Sequence, residues 1–138
     1  MLGMSNFEDM LRGLDGSAQD GSEAAGIALP AQEDLDDHAR YDRATFAFET
    51  KNYRVAAELL EPLVDTHPYN GEIALLLARS YYHAARLPRA EELLRSMVER
   101  WPSHAYAHLM LARTLQRAGR AEEGAPHLKI AEAMGLDA

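Results

Sequence analysis

The chain has 138 residues, of which 47% are hydrophobic, so it is long enough for about one domain with a real core. The absence of cysteine excludes a disulfide framework and thiol chemistry, and the net charge of -8 argues against nucleic acid, whose phosphates need clustered basic residues. Because the sequence has neither a long apolar run nor a secretory signal, we expect a cytoplasmic protein that does not enter a membrane.

The excess negative charge lies in residues 1–36, which carry eight acidic residues against one arginine, a net charge of -7. Residues 37–138 carry 14 acidic and 13 basic residues, a net charge of -1. Residues 15–36 are dominated by Gly, Ser, Asp, Glu and Ala, a composition typical of a flexible linker. We therefore predict that residues 1–36 form a mostly disordered acidic arm.

A short amphipathic pattern occurs within this arm, at residues 5–14. Four large apolar residues follow the spacing i, i+3, i+4 and i+7, which places them on one face of a helix. They are Phe7, Met10, Leu11 and Leu14. Ser5 precedes Glu8 by three residues, the spacing of a capping box. The segment is open to three interpretations: a motif that folds on an outside partner, a segment that docks on its own chain or on a second copy, or a disordered tail.

From residue 37 onward the sequence repeats with a period of 34 residues, in the blocks 37–70, 71–104 and 105–138. Position 8 of every block is alanine, and position 24 of every block is leucine. These residues are Ala44, Ala78, Ala112, Leu60, Leu94 and Leu128. Each block contains two helical patterns, with breaks near residues 51–52, 85–86 and 119–120. We therefore predict six helices of roughly 12–15 residues joined by short connections.

This repeat resembles the tetratricopeptide repeat family, whose unit has Leu-Gly at positions 7–8, Tyr at 11, Ala at 20 and Pro at 32. The second block fits the pattern best, and the third keeps part of it. The matching residues are Leu77, Ala78, Tyr81, Ala90, Leu94 and Pro102, then Leu111, Ala112 and Leu128. The resemblance spans residues 37–138 and implies an all-α fold, a right-handed α-solenoid of three helix-turn-helix repeats.

The first and last blocks depart from the pattern in different ways. Arg40 and Arg43 replace apolar residues at positions 4 and 7, which suits a first helix with no preceding repeat. The last helical pattern contains Gly124 and Pro126, and proline is tolerated there if the helix starts close to it. Because no polar capping helix follows, we expect some apolar residues of this pattern to stay exposed. The candidates are Leu128, Ile130, Met134 and Leu136.

The resemblance also implies a concave groove, lined by the first helix of each repeat, that holds a partner peptide. The residues that we expect to line it are Tyr41, Thr45, Phe48, Leu75, Arg79, Tyr82, Tyr106, Leu109, Arg113 and Arg117. Arg79 and Arg113 share position 9, so we predict a basic ladder that continues to Arg117. Such a surface suits a partner with apolar anchors and carboxylates. In the alternative interpretation, the arginines pair locally with Glu49 or Glu72.

One function of the resembled family is not expected here. Co-chaperone members clamp a C-terminal carboxylate with Lys, Asn and Arg side chains at fixed positions. This chain has Tyr41, Thr45, Leu76, Tyr106 and Met110 at those positions. Binding of chaperone C-termini by that clamp is therefore not predicted.

His104 and His108 lie four residues apart, a spacing that can share a metal on one helix. No Glu follows His104 to make a metalloprotease motif, and His108 occupies position 4, which normally packs inward. The sequence also lacks a phosphate-binding loop, a nucleophile elbow and a cleft with paired carboxylates. We expect no metal, no cofactor and no catalytic site.

Three functional hypotheses follow. The first is a non-catalytic protein-protein interaction module or adaptor, which binds a peptide or partner protein in the groove. The second is a self-assembling structural subunit, a homodimer or larger homo-oligomer formed through the last helix or the N-terminal arm. The third is a secretion-type chaperone for a client protein, a class that also joins an N-terminal arm to three such repeats.

Overall fold

A computed structural model of the chain describes residues 35–136. Six α-helices, joined by short turns, make up this part of the chain. They are α1 (Asp37–Glu49), α2 (Tyr53–Thr66), α3 (Gly71–His83), α4 (Leu87–Arg100), α5 (Ala105–Arg117) and α6 (Ala121–Ala133). Residues 35–136 contain no strand, so the predicted all-α fold is confirmed.

Most of the predicted acidic arm lies outside the described residues, including the amphipathic segment at residues 5–14 with Phe7, Met10, Leu11 and Leu14. Among the helices that are described, none has the length and hydropathy needed to cross a bilayer.

The helices pack in chain order, each against the next, and α3 also contacts α5. The first helices of successive pairs begin at residues 37, 71 and 105, a constant interval equal to the sequence period. The arrangement is a helical solenoid of three helix-turn-helix repeats. The predicted six helices and the breaks between them are therefore confirmed.

Each repeat starts its first helix with a side-chain cap. Asp36, Asn70 and His104 accept a hydrogen bond from the backbone N–H three residues later, at 2.8, 3.0 and 3.3 Å. Such a bond satisfies a backbone donor that has no partner within the helix. The cap is the structural role of His104, whose Nδ1 atom is the acceptor.

The turn between the two helices of each repeat contains one residue in the left-handed backbone region. These residues are Lys51, Ala85 and Gly119, with φ of 66°, 63° and 82°, and they occupy the same position of the three repeats. Glycine adopts this conformation without the steric cost that a Cβ atom imposes. The sequence breaks at these positions therefore reflect a shared change of chain direction.

The core of each repeat lies where the two helices approach closely, at positions 8 and 20. Ala44, Ala78 and Ala112 are fully buried at position 8, and Ala56 and Ala90 are fully buried at position 20. The third repeat has Gly124 at position 20, in α6. A Cβ atom added to Gly124 would lie 3.0 Å from the carbonyl oxygen of Ala112. The third repeat therefore has less room between its helices than an alanine side chain needs.

Of the four apolar residues expected to stay exposed near the end of the chain, Ile130 and Met134 are exposed, whereas Leu128 and Leu136 are half-buried. Ile130 and Met134 are 37% and 42% exposed, and the residues at their positions in the first two repeats are exposed as well. Those two positions face solvent in every repeat. Leu128 differs, because Leu60 and Leu94 at its position are 0% exposed whereas Leu128 is half-buried.

Candidate interaction surface

Two contacts between an arginine and an aromatic ring join the first helices of successive repeats. The guanidinium carbon of Arg79 lies 4.7 Å from the centre of the Phe48 ring, which joins α3 to α1. That of Arg117 lies 4.8 Å from the centre of the Tyr82 ring, which joins α5 to α3. Arg117 also donates a hydrogen bond of 2.7 Å to the backbone carbonyl of Tyr82. These contacts hold the two guanidinium groups in place at the surface.

We use the term A-helix face for the surface that these contacts define on α1, α3 and α5. Its residues are Phe48, Arg79, Tyr82, His83, Arg113 and Arg117. His83 belongs to it because its ring lies 5.8 Å from Phe48 and stacks on Tyr53 of α2 at 4.7 Å. Desolvation by burial lowers the pKa of His83, and the charges of Arg79 and Arg117 lower it further. The imidazole is therefore neutral at pH 7, and the positive charge of the face comes from its arginines.

Within residues 35–136 the three arginines of this face have no carboxylate partner. Arg79, Arg113 and Arg117 form no ion pair within residues 35–136. The predicted alternative, local pairing with Glu49 or Glu72, does not occur in this part of the chain. In this part of the chain no carboxylate neutralises the charges of these guanidinium groups.

Three arginines elsewhere in the domain pair with carboxylates. Arg120 makes two hydrogen bonds to the carboxylate of Glu91, at 2.8 and 3.0 Å, and Arg95 contacts the same carboxylate at 2.9 Å. The hydrogen bond from Arg120 is the main cause that lowers the pKa of Glu91. Arg89 likewise lies 3.3 Å from a carboxylate oxygen of Glu61. The arginines of the A-helix face differ from these pairs, because they lie close together on α3 and α5 and have no carboxylate partner within residues 35–136.

A surface cavity of about 450 Å³ adjoins the A-helix face between α3, α5 and α6. Its lining consists of Tyr82, Arg113, Gln116, Arg117 and Leu128. Guanidinium groups here lie beside aromatic and aliphatic carbon, so the cavity can accept a carboxylate together with an apolar side chain. Sequence reasoning did not assign Leu128 to this site. The sequence could have indicated Leu128 through its repeat position 24, because this position is buried in the first two repeats and only half-buried in the last one.

The remaining predicted groove residues do not join this cluster. Tyr41 and Leu75 are half-buried on α1 and α3, and the Thr45 hydroxyl donates a 2.9 Å hydrogen bond to the Tyr41 carbonyl of its own helix. Tyr106 is 49% exposed at the start of α5. Leu109 is 6% exposed, which places its side chain in the core of the third repeat. The prediction that these residues line a binding groove stays a prediction.

A histidine pair joins α5 to α6 inside the third repeat. The Nδ1 atoms of His108 and His127 lie 3.1 Å apart, and Nε2 of His108 lies 2.8 Å from the carbonyl oxygen of Pro102. A carbonyl can only accept, so Nε2 of His108 donates to Pro102, and Nδ1 of His108 accepts from His127. Across residues 35–136 no three His, Asp or Glu side chains come together as a metal site.

We expect mild acid to destabilise the helical domain through His83 and His127. Burial lowers the pKa of His127, and the nearby His108 and Arg95 lower it further. Since both histidines have a pKa below the ordinary value of about 6.5, the unfolded chain takes up these protons first as pH falls. The neutral forms of His83 and His127 therefore contribute their full stability above about pH 6.5. This contribution is lost as pH falls from about 6.5 towards the lower pKa values of the two histidines in the folded protein.

Urea unfolding at about pH 7.5 and about pH 5.5 measures this effect. The double variant His83→Asn/His127→Asn should lose less stability between the two conditions than the unmodified protein. An equal loss in both proteins would show that these histidines do not cause the pH dependence.

Two family models described as tetratricopeptide repeat match the sequence, one over residues 47–100 and the other over residues 75–137. No curated protein matches the chain. The two models overlap in the second repeat and together span residues 47–137.

Solved structures share the fold at low sequence identity. A point mutant of MamA is 20% identical, with a TM-score of 0.68, and the match covers 76% of this chain and 77% of that one. MamA 41-end from Desulfovibrio magneticus RS-1 is 22% identical, with a TM-score of 0.65, over 70% of this chain and 55% of that one. A chain of the CopN-Scc3 complex is 15% identical, with a TM-score of 0.66, over 98% of this chain and 91% of that one.

The matched region of several MamA chains is little more than half of their length, for example 53% in a second mutant form. Likeness at these identities concerns the fold. The family models and the helix pairs recurring every 34 residues lead to one conclusion: this chain belongs to the tetratricopeptide repeat family.

Proposed function

We propose that this chain is a non-catalytic adaptor whose A-helix face binds a segment of a partner protein. Repeat solenoids of this kind present extended surfaces that serve protein interactions. The observation that supports this proposal is the set of three guanidinium groups, on Arg79, Arg113 and Arg117, that lack carboxylate partners within residues 35–136 and lie next to aromatic rings.

The chemistry of the face defines the kind of partner segment that fits. Carboxylates of the partner would form charge-assisted hydrogen bonds with the guanidinium groups of Arg113 and Arg117. An apolar side chain of the partner would lie against Tyr82 and Leu128 in the cavity. The partner segment therefore combines acidic residues with at least one apolar anchor.

Affinity capture from the native cell with full-length protein tests the proposal. The variant combines Arg79→Glu, Arg113→Glu and Tyr82→Ala, and it should lose the partners that the unmodified protein retains. The matched control, Lys51→Glu with Arg54→Glu, reverses the same number of charges at exposed residues outside the A-helix face and should retain them.

A partner that remains bound to the triple variant would contradict binding at this face. A partner lost equally from the control variant would point to net charge as the cause instead. If the captured partner is insoluble when it is produced alone, the chaperone form of this hypothesis is favoured.

A further inference from the structure

The last helix pair leaves exposed a surface that the other pairs bury. Leu60 of α2 and Leu94 of α4 are 0% exposed, and each of these helices packs against the first helix of the next repeat. Within residues 35–136 no helix follows α6, and Leu128 at the equivalent position is half-buried. Position 21 becomes more exposed along the repeats, since Ala57 is 0% exposed, Glu91 is half-buried and Ala125 is exposed. The surface around Ala125 and Leu128 therefore matches the place that a following first helix takes.

The amphipathic segment at residues 5–16 has the spacing of such a first helix. The inward side of α3 is made by buried residues at positions 4, 7, 8 and 11 of the repeat, and α5 buries the same positions. In α3 they are Ala74, Leu77, Ala78 and Tyr81, and in α5 they are His108, Leu111, Ala112 and Leu115. The stripe of the arm repeats this i, i+3, i+4, i+7 spacing with Phe7, Met10, Leu11 and Leu14.

The arm differs from the repeats at one of these positions, and the packing accounts for it. Position 8 is alanine in each repeat because it faces position 20 of the same pair, as the 3.0 Å distance between an added Cβ of Gly124 and the Ala112 carbonyl shows. A segment that packs only against α6 would not meet this limit. Leu11 at the equivalent place in the arm is therefore compatible with the same mode of packing.

The charges of the two surfaces are complementary. The segment carries Glu8, Asp9 and Asp15. The receiving surface presents Arg113 and Arg117, which are exposed and lie beside Leu128 in the cavity. Attraction between these opposite charges favours docking of the segment and orients it.

We propose that residues 5–16 of a second copy of this chain bind as a helix over Ala125 and Leu128, in the place of a fourth first helix. The arm joins the domain at α1, and α2 to α5 pack in order between α1 and α6. A second copy can bring its arm to α6 without spanning this stack. When each of two copies binds residues 5–16 of the other, both docking contacts form as one dimer assembles. This inference goes beyond the proposed function and does not depend on an outside partner, with which the docked segment would compete for Arg113, Arg117 and Leu128.

Disulfide cross-linking of full-length protein tests this contact, because the natural sequence has no cysteine. One copy carries Leu11→Cys, and a second, differently tagged copy carries Ala125→Cys. The control replaces Ala125→Cys with Ile130→Cys, on the same helix but at a position that faces solvent in every repeat. After mild oxidation of the mixture, the Ala125 pair should give about tenfold more mixed dimer than the Ile130 pair.

A second variant separates docking from chance collision. Met10→Asp added to the Leu11→Cys copy should remove the excess cross-link, whereas Ser17→Asp, outside the apolar stripe, should preserve it. Equal yields from Ala125 and Ile130, or an excess that survives Met10→Asp, would overturn the proposal. A single chain carrying both Leu11→Cys and Ala125→Cys that cross-links only within itself would overturn the assignment to a second copy.

Discussion

Replacement of Leu94 by alanine is expected to lower the free energy of unfolding by about 2–5 kcal/mol, the range for a fully buried leucine. Leu94 is 0% exposed in α4, which packs against both α3 and α5. The side chain therefore contributes to the packing of the central repeat, and its removal leaves a cavity that neighbouring helices fill incompletely. In a solenoid, loss of packing in the central repeat also weakens the coupling between the outer repeats.

The matched control for Leu94 is the same substitution at the equivalent position of the third repeat. Leu128 is half-buried and borders an open cavity, so Leu128→Ala should cost about 1 kcal/mol. Guanidinium unfolding followed by circular dichroism at 222 nm, a standard helix wavelength, measures both variants. If Leu94→Ala and Leu128→Ala lower the free energy of unfolding equally, the place of a repeat in the solenoid does not determine how much its leucine contributes to stability.

Introduction of valine at Gly124 is expected to destabilise the domain by about 1–3 kcal/mol through overpacking. A Cβ atom at this residue would lie 3.0 Å from the carbonyl oxygen and 3.2 Å from the Cα atom of Ala112. Both contacts are with backbone, which cannot rotate away as a side chain can. The valine can therefore be accommodated only if α5 and α6 move apart. This movement weakens the packing of the third repeat.

Ala133→Val is the control for this substitution, because Ala133 is also in α6 and is exposed. It should change the free energy of unfolding by less than about 1 kcal/mol, since valine reduces helix propensity only slightly at a surface position. Thermal unfolding of the two variants gives the comparison. A Gly124→Val protein as stable as the Ala133→Val protein would contradict the close approach of the two helices.

The helices and their order could be predicted from the sequence because they depend on local patterns. Alanine at position 8 and leucine at position 24 recur every 34 residues. Within each helix, apolar residues recur at the spacing of the helical turn and form one buried face. The breaks coincide with Lys51, Ala85 and Gly119, where the backbone is left-handed. The repeat period, the helical patterns and the breaks are all visible in the order of residues along the chain, so predicting the helices required no knowledge of tertiary contacts.

The composition of the candidate site could be predicted in part. Phe48, Arg79, Tyr82, Arg113 and Arg117 lie together on the A-helix face, as the repeat positions implied. The same rule assigned Leu109 to the groove, which stays a prediction, and its side chain is only 6% exposed. A repeat position specifies the face of the helix on which a side chain lies, but the burial of that side chain also depends on the helix that packs beside it.

The sequence by itself predicted a three-repeat helical solenoid and located the excess negative charge in residues 1–36, because periodicity and composition are properties of the chain. Only the tertiary structure decided which arginines of residues 35–136 lack carboxylates and that Leu128 lines a cavity with Tyr82. Arg117 is 35 residues from Tyr82, whose carbonyl accepts its hydrogen bond. Contacts over that separation depend on how the helices stack, and stacking geometry is not encoded in any local spacing.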